Sequence, residues 1–123
     1  MRVLILDDSK AIRLILGKIL RPMGFDVQEA GDGAEGIEKL KEIGGADLCL
    51  VDWNMPRMNG LEFVKAARAN TDWAAMRIMM VTTEVEAENV AEALEAGADE
   101  YVMKPFTPDV IVDKLGLLGI AKS

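Results

Sequence analysis

The sequence predicts an α/β domain in which five strands alternate with five helices, (βα)5, the helices covering both faces of a parallel sheet. Two observations predict it. Short apolar runs of strand length alternate with helical periodicity five times over, and most runs are bounded by acidic, Gly or Pro residues. Three of the runs are continuously apolar, which suits strands buried on both faces of a parallel sheet.

The first strand covers residues 3–6 and runs into Asp7-Asp8. The first helix covers about 10–23, with Ile12, Ile15, Leu16, Ile19 and Leu20 on one stripe and Gly24 placed to stop it. The second strand is 27–30, and its helix, about 34–43, stops at Gly44-Gly45. The third strand, 48–51, leads to Asp52 and a helix after Gly60 with Leu61, Val64 and Ala67 inward. The fourth strand is 78–81, followed by a helix over about 87–96 with Val90, Ala93 and Leu94 inward, stopped by Gly97. The fifth strand, 101–103, precedes a helix from about 108 carrying Val110, Ile111, Leu115 and Leu118.

Composition narrows the function classes. The chain has 123 residues, enough for one hydrophobic core, and half of them are apolar. Twenty-one acids against fourteen bases give a net charge of −7, which argues against nucleic acid or an anionic membrane as the main partner. No apolar run approaches the roughly 20 residues of a membrane span, and 3–6 is too short for a signal peptide. The single Cys49, inside an apolar run, reads as core filling in a reducing compartment, so a cytoplasmic location is expected. There is no histidine, which excludes His-Asp hydrolase chemistry, His-based metal sites and any phosphohistidine carried here. Met79 and Met80 read as strand core, and Glu84, Glu86, Glu88, Glu92 and Glu95 as a solvated face. No linker or second domain is visible.

In such sheets ligands bind beyond the carboxyl ends of the strands. The first strand delivers Asp7 and Asp8 there, the third Asp52, the fourth Thr82-Thr83-Glu84, and the fifth Lys104-Pro105. The second delivers nothing comparable. Any one acid could simply cap a helix. Three together repel unless a cation joins them, and oxygen-only ligands suit a hard ion, Mg²⁺ above all. Three negative charges would meet about two from Mg²⁺ and one from Lys104, leaving a roughly neutral site built to receive an anion such as phosphoryl. A carboxylate can itself be the nucleophile, giving an acyl phosphate. A Lys directly before Pro at a strand end must aim into the site, so a cis Lys104–Pro105 bond is expected.

With these residues placed, the chain resembles the receiver domain of response regulators over essentially its whole length, 1–123, and within that family the stand-alone chemotaxis regulators. The motifs are Asp7-Asp8-Ser9, Asp52-Trp53-Asn54-Met55-Pro56 with Gly60, Thr82-Thr83-Glu84, and Tyr101-Val102-Met103-Lys104-Pro105-Phe106. The resemblance implies a flavodoxin-like doubly wound sheet of order 2-1-3-4-5. That order puts the third strand in the middle and makes Asp52 the phosphoacceptor, charged by a phosphohistidine on a partner histidine kinase. It implies Mg²⁺ held directly by Asp8, Asp52 and the backbone carbonyl of Asn54, and by Asp7 through water. Lys104 would pair with the phosphoryl oxygens. Thr82 would move onto the phosphoryl group and Tyr101 inward behind it, with Trp53 a flank of the site. Asn54 and Glu84 would tune hydrolysis. The face of the fourth helix, fifth strand and fifth helix would then change its affinity for a downstream protein. The implied protein is a monomeric switch with self-catalysed phosphotransfer and autodephosphorylation, not a conventional enzyme. One departure stands out: the chemotaxis pattern has basic residues where this chain has Glu86 and Ala87.

Two rival readings compete. Gly31-Asp32-Gly33-Ala34-Glu35-Gly36 fits the dinucleotide fingerprint, with Asp52 about 20 residues on. It falls on the second βα turn, away from the charged site, and tight-turn glycines explain it as well. An aspartyl-phosphate phosphatase would use Asp7 and want an acid two residues later, where Ser9 stands.

Overall fold

A computed structural model describes residues 1–83 and 87–120. The strands are β1 (Arg2–Leu6), β2 (Asp26–Ala30), β3 (Leu48–Asp52), β4 (Arg77–Thr82) and β5 (Glu100–Met103). The helices are α1 (Lys10–Leu20), α2 (Gly33–Ile43), α3 (Gly60–Ala69), α4 (Ala87–Ala96) and α5 (Pro108–Leu117). All neighbouring strands pair parallel, in the order β2-β1-β3-β4-β5. The expected architecture and strand order are therefore both present.

Strand alternation divides the core into two layers. Leu4, Leu6, Cys49, Val51, Ile78 and Met80 face one side, where they pack with Leu40 of α2, Phe63, Val64 and Ala67 of α3, and Ala93 of α4. Val3, Ile5, Leu48, Leu50, Met79 and Val81 face the other, against Leu16 and Leu20 of α1 and Ile111 and Leu115 of α5. Met79 and Met80 are core, and Cys49 is fully buried, its thiol pushed well above the ordinary range by burial and only partly opposed by the charge of Arg68.

The starts of α1, α2, α3 and α5 are fixed by side-chain caps. Ser9 caps α1 by accepting from Ile12 N, and Asp32 caps α2 by accepting from Glu35 N. Asn59 and Glu62 form a reciprocal capping box on α3, and Thr107 caps α5 with Pro108 in the first turn. Lys104–Pro105 is cis, as the sequence led us to expect.

Several expectations about helices need correction. The first helix stops at Leu20, and residues Arg21–Met23 form a 3₁₀ turn instead. Pro22 is the physical reason, because it lacks the N–H that would continue the α-helical ladder. Leu94, expected inward, is 41% exposed, and Ile15 and Val110, on the apolar stripes of α1 and α5, are 47% and 39% exposed. Each helix buries a narrower arc than its full apolar stripe, so the stripe's edge stays in water. Phe63, by contrast, is a fully buried side chain of α3 that the stripe reading left out.

Candidate functional site

The register of the sheet brings the charged residues together. Leu6 pairs with Val51 and Asp52 with Val81, so Asp7 and Asp52 follow one another across β1 and β3 at the carboxyl edge. Thr82 pairs with Met103, which sets Lys104 one residue beyond β5, and Lys104 N donates to Thr82 O at 2.9 Å.

Asp7 is held from several directions. Its N–H donates to Ala30 O at 3.1 Å, and its Oδ1 accepts from Ser9 N at 2.8 Å. Its carbonyl accepts from Arg13 Nη1 at 2.6 Å, while Arg13 Nε pairs with Glu29 at 3.0 Å. Lys104 Nζ donates to Asp7 Oδ2 at 2.8 Å and to Asp52 Oδ1 at 3.3 Å. Asp7 and Asp52 are buried, and Asp8 is exposed at the rim. One carboxylate oxygen from each of Asp7, Asp8 and Asp52 lies within 4.8 Å of the other two.

The electrostatics follow from this crowding. Burial, then the charge of Asp7, push the Asp52 carboxyl up to about 6, and Lys104 only partly opposes them. Lys104 is shifted upward: burial works against its charge but is outweighed by the hydrogen bond to Asp7 and the charges of Asp52 and Asp7. One ammonium therefore does not balance the acids around it. The donor set tests well for a hard cation, being three carboxylates with neither His nor Cys beside them.

The other expected residues take these places. Thr82 is buried at the end of β4. Tyr101 is half-buried on β5, packed on the core with the Lys114 ammonium 4.9 Å from its ring centre. Between them lies a cavity of about 10 Å³, lined also by Trp53, Met80, Val90 and Leu94. It has room for about one water. Trp53 is half-buried and Asn54 is exposed on the loop after β3. Glu84 and Glu86 lie outside the described residues.

Sequence reasoning missed three residues. Arg13 ties the backbone of Asp7 to β2. Asp32, after the strand credited with nothing comparable, is buried and receives Arg57 through Nε at 2.9 Å and Nη2 at 2.7 Å. A signal existed for Asp32, since Asp followed three residues later by Glu35 is a helix-start pattern. None existed for Arg13 or Arg57, whose partners are remote in sequence. The Asp32 cap also weakens the dinucleotide reading, because a carboxylate already occupies the helix N-terminus that a pyrophosphate would need. Ser9, where a phosphatase would carry its second acid, is a helix cap.

A doubly wound α/β domain with a lysine shared between crowded carboxylates at its carboxyl edge defines a class, one whose acids could hold a hard cation. Residues 3–116 match the response regulator receiver domain model, and the chain belongs to that family. Phosphorylation and Mg²⁺ binding are features of the family. The chain is 43% identical to chemotaxis protein CheY1 of Helicobacter pylori strain J99, with 94% of each chain covered. It is 44% identical to the chemotaxis protein CheY homolog of Campylobacter jejuni strain 81-176, covering 94% of this chain and 89% of that one. Among solved structures, the chemotaxis response regulator CheY4 of Vibrio cholerae superposes with a TM-score of 0.88 at 36% identity, over 95% of this chain and 97% of that one. No helix among the described residues is long and apolar enough to cross a membrane.

Proposed function

We propose that this protein, read as a receiver over 1–123, is a two-component phosphorylation switch of the chemotaxis type or another single-domain regulator acting in the cytoplasm. Asp52 is the phosphoacceptor and a histidine kinase the donor. The observation that carries the reading is Lys104 Nζ reaching both Asp7 and Asp52 beside Asp8. Asp7, Asp8 and Asp52, with the Asn54 carbonyl, hold Mg²⁺, which supplies the positive charge that Lys104 alone lacks.

An Asp52 oxygen attacks phosphorus in line, forming the O–P bond as the P–N bond to the donor imidazole breaks. That nitrogen keeps the electron pair and takes a proton. No general base on this chain is needed, because Asp52, with its carboxyl at about 6, is mostly ionised at neutral pH. Positioning and charge neutralisation carry most of such a transfer. Lys104 then follows the new phosphoryl oxygens and Thr82 turns its hydroxyl toward them. Tyr101 moves toward the space Thr82 leaves, and the face of α4, β5 and α5 changes its affinity for a downstream protein. Asn54 and Glu84 set the rate of hydrolysis.

Intact mass spectrometry after incubation with acetyl phosphate tests this reading. Wild type with Mg²⁺ should gain one phosphoryl group, and wild type in EDTA or Asp52→Asn with Mg²⁺ should gain none. Equal labelling of the Asp52→Asn protein would overturn the assignment of the site.

A further inference from the structure

Two features are left unused by phosphoryl transfer: the Gly31-Asp32-Gly33 turn, and Arg57. Arg57 has a φ of 62°, the only positive φ of a non-glycine residue among those described. The left-handed region is unfavourable for any residue with a Cβ, so something must hold Arg57 there. The two features meet in one contact. The Arg57 guanidinium places Nε and Nη2 on a single oxygen, Oδ2 of Asp32. Asp32 Oδ1 is already taken by Glu35 N at 2.8 Å. Burial would raise the Asp32 carboxyl, but the Glu35 N–H and then Arg57 outweigh it and hold it below the usual range.

Backbone contacts reinforce the ion pair. Gly33 N donates to Met58 O at 3.0 Å, and a Cβ on Gly33 would come within 2.7 Å of that same oxygen. The turn after β2 thus grips residues 57 and 58. The loop they belong to leaves Asp52 and carries Asn54, and its near end is closed by Gly60 N donating to Trp53 O at 2.9 Å. A helix cap alone needs only Oδ1. An ordinary surface ion pair needs neither a buried carboxylate nor a left-handed backbone, and it contributes little.

We propose that Asp32 and Arg57 are positioning residues that hold the loop after β3 in the shape the cation site requires. The fingerprint-like glycine turn is the cradle against which that loop rests. This inference rests on the function proposed above. The residues next to metal ligands commonly set affinity without touching the ion.

The test is Mg²⁺ titration by calorimetry of wild type, Asp32→Asn, Arg57→Asn and the double variant, with acetyl phosphate labelling of each. Asn keeps the helix cap at 32 and tolerates the left-handed region at 57, so both singles should fold, which circular dichroism in EDTA checks. Each single should bind Mg²⁺ about tenfold more weakly. The double should be no weaker than the weaker single, because one contact is lost in all three. Arg57→Gly relieves the backbone as well and should lose the same affinity. Full affinity in Arg57→Gly, or singles within about twofold of wild type, would overturn the positioning role while leaving Asp52 as acceptor. A wild type that neither binds Mg²⁺ nor labels would overturn the functional reading, and this inference with it.

Discussion

Two cation-centred clusters in this fold use the same ingredients with opposite results. At the amino edge of the sheet, where α3 and α4 end, Arg68 donates through Nε to Gly97 O at 2.9 Å, through Nη1 to Trp73 O at 3.2 Å, and through Nη2 to Asp99 Oδ2 at 3.0 Å. That Asp99 oxygen also accepts from Ile78 N at 2.8 Å. One cation meets one acid, and neutral carbonyls take the remaining donors. At the carboxyl edge one cation, Lys104, meets Asp7 and Asp52 with Asp8 alongside. The first cluster is electrostatically closed and joins α3 to the turn before β5. The second is open by at least one negative charge, a surplus that a bound cation would neutralise.

The largest expected effect comes from breaking the closed cluster. Arg68→Ala strips donors from three backbone carbonyls and leaves Asp99 without its cation, so it should destabilise the fold by about 3 kcal/mol. The loss should be the same with and without Mg²⁺, because no residue of this cluster lies in the acid site. Urea denaturation in EDTA and in Mg²⁺ measures it. A loss that Mg²⁺ largely restores would show that the two clusters are not independent.

The open cluster should respond with the opposite sign. Asp52 is raised from 3.8 to about 6 in the folded protein. Between those values the folded state binds a proton that the unfolded state does not. The contribution of this group is therefore fully present below pH 3.8 and is lost as pH rises through about 6. Asp52→Asn removes the ionisable group, so in EDTA at pH 7 the variant should be more stable than wild type by roughly 2 kcal/mol. The advantage should shrink as pH falls toward 4. Mg²⁺ should stabilise wild type and narrow the gap from the other side. A variant less stable than wild type at pH 7 would mean that Lys104 already neutralises the site. A site that gains stability when its central residue is disabled is one held for function.

This contrast also explains what the sequence made legible. Strands were readable because burial on both faces leaves continuous apolar runs, and site acids were readable because they stand where those runs end. Asp7, Asp8, Asp52 and Lys104 could thus be grouped before any contact was known. The closed clusters were not readable, because Arg68, Arg57 and Arg13 find partners whose positions only the folded chain defines. Helix faces were half readable: Leu16, Leu20, Ile111 and Leu115 are buried as periodicity suggests, whereas Ile15, Leu94 and Val110 belong to the same stripes and stay in water. Periodicity gives a direction, but the width of the buried arc depends on how close the neighbouring helix lies.

The smallest effect on stability should carry information about switching. Lys114 sits with its ammonium 4.9 Å from the Tyr101 ring centre and 3.1 Å from Glu100 Oε1. Both interactions are partly exposed and each contributes less than about 1 kcal/mol. They belong to the closed type, one cation with one acid and a ring face, and they anchor Tyr101 where it lines the small cavity with Thr82. Lys114→Met keeps the aliphatic stem and removes the charge, so stability should fall by less than about 1 kcal/mol. The ring, relieved of this anchor, should spend more time inward. Tyr101 is the only tyrosine of the chain, so fluorotyrosine labelling gives a single ¹⁹F signal to follow. In wild type that signal should move when acetyl phosphate and Mg²⁺ are added. In Lys114→Met without either, it should already lie part of the way toward that position, because a two-state ring needs only a small bias to change its populations. A signal that stays at the wild-type position would show that the packing around Tyr101, rather than the Lys114 ammonium, sets the resting state of the switch.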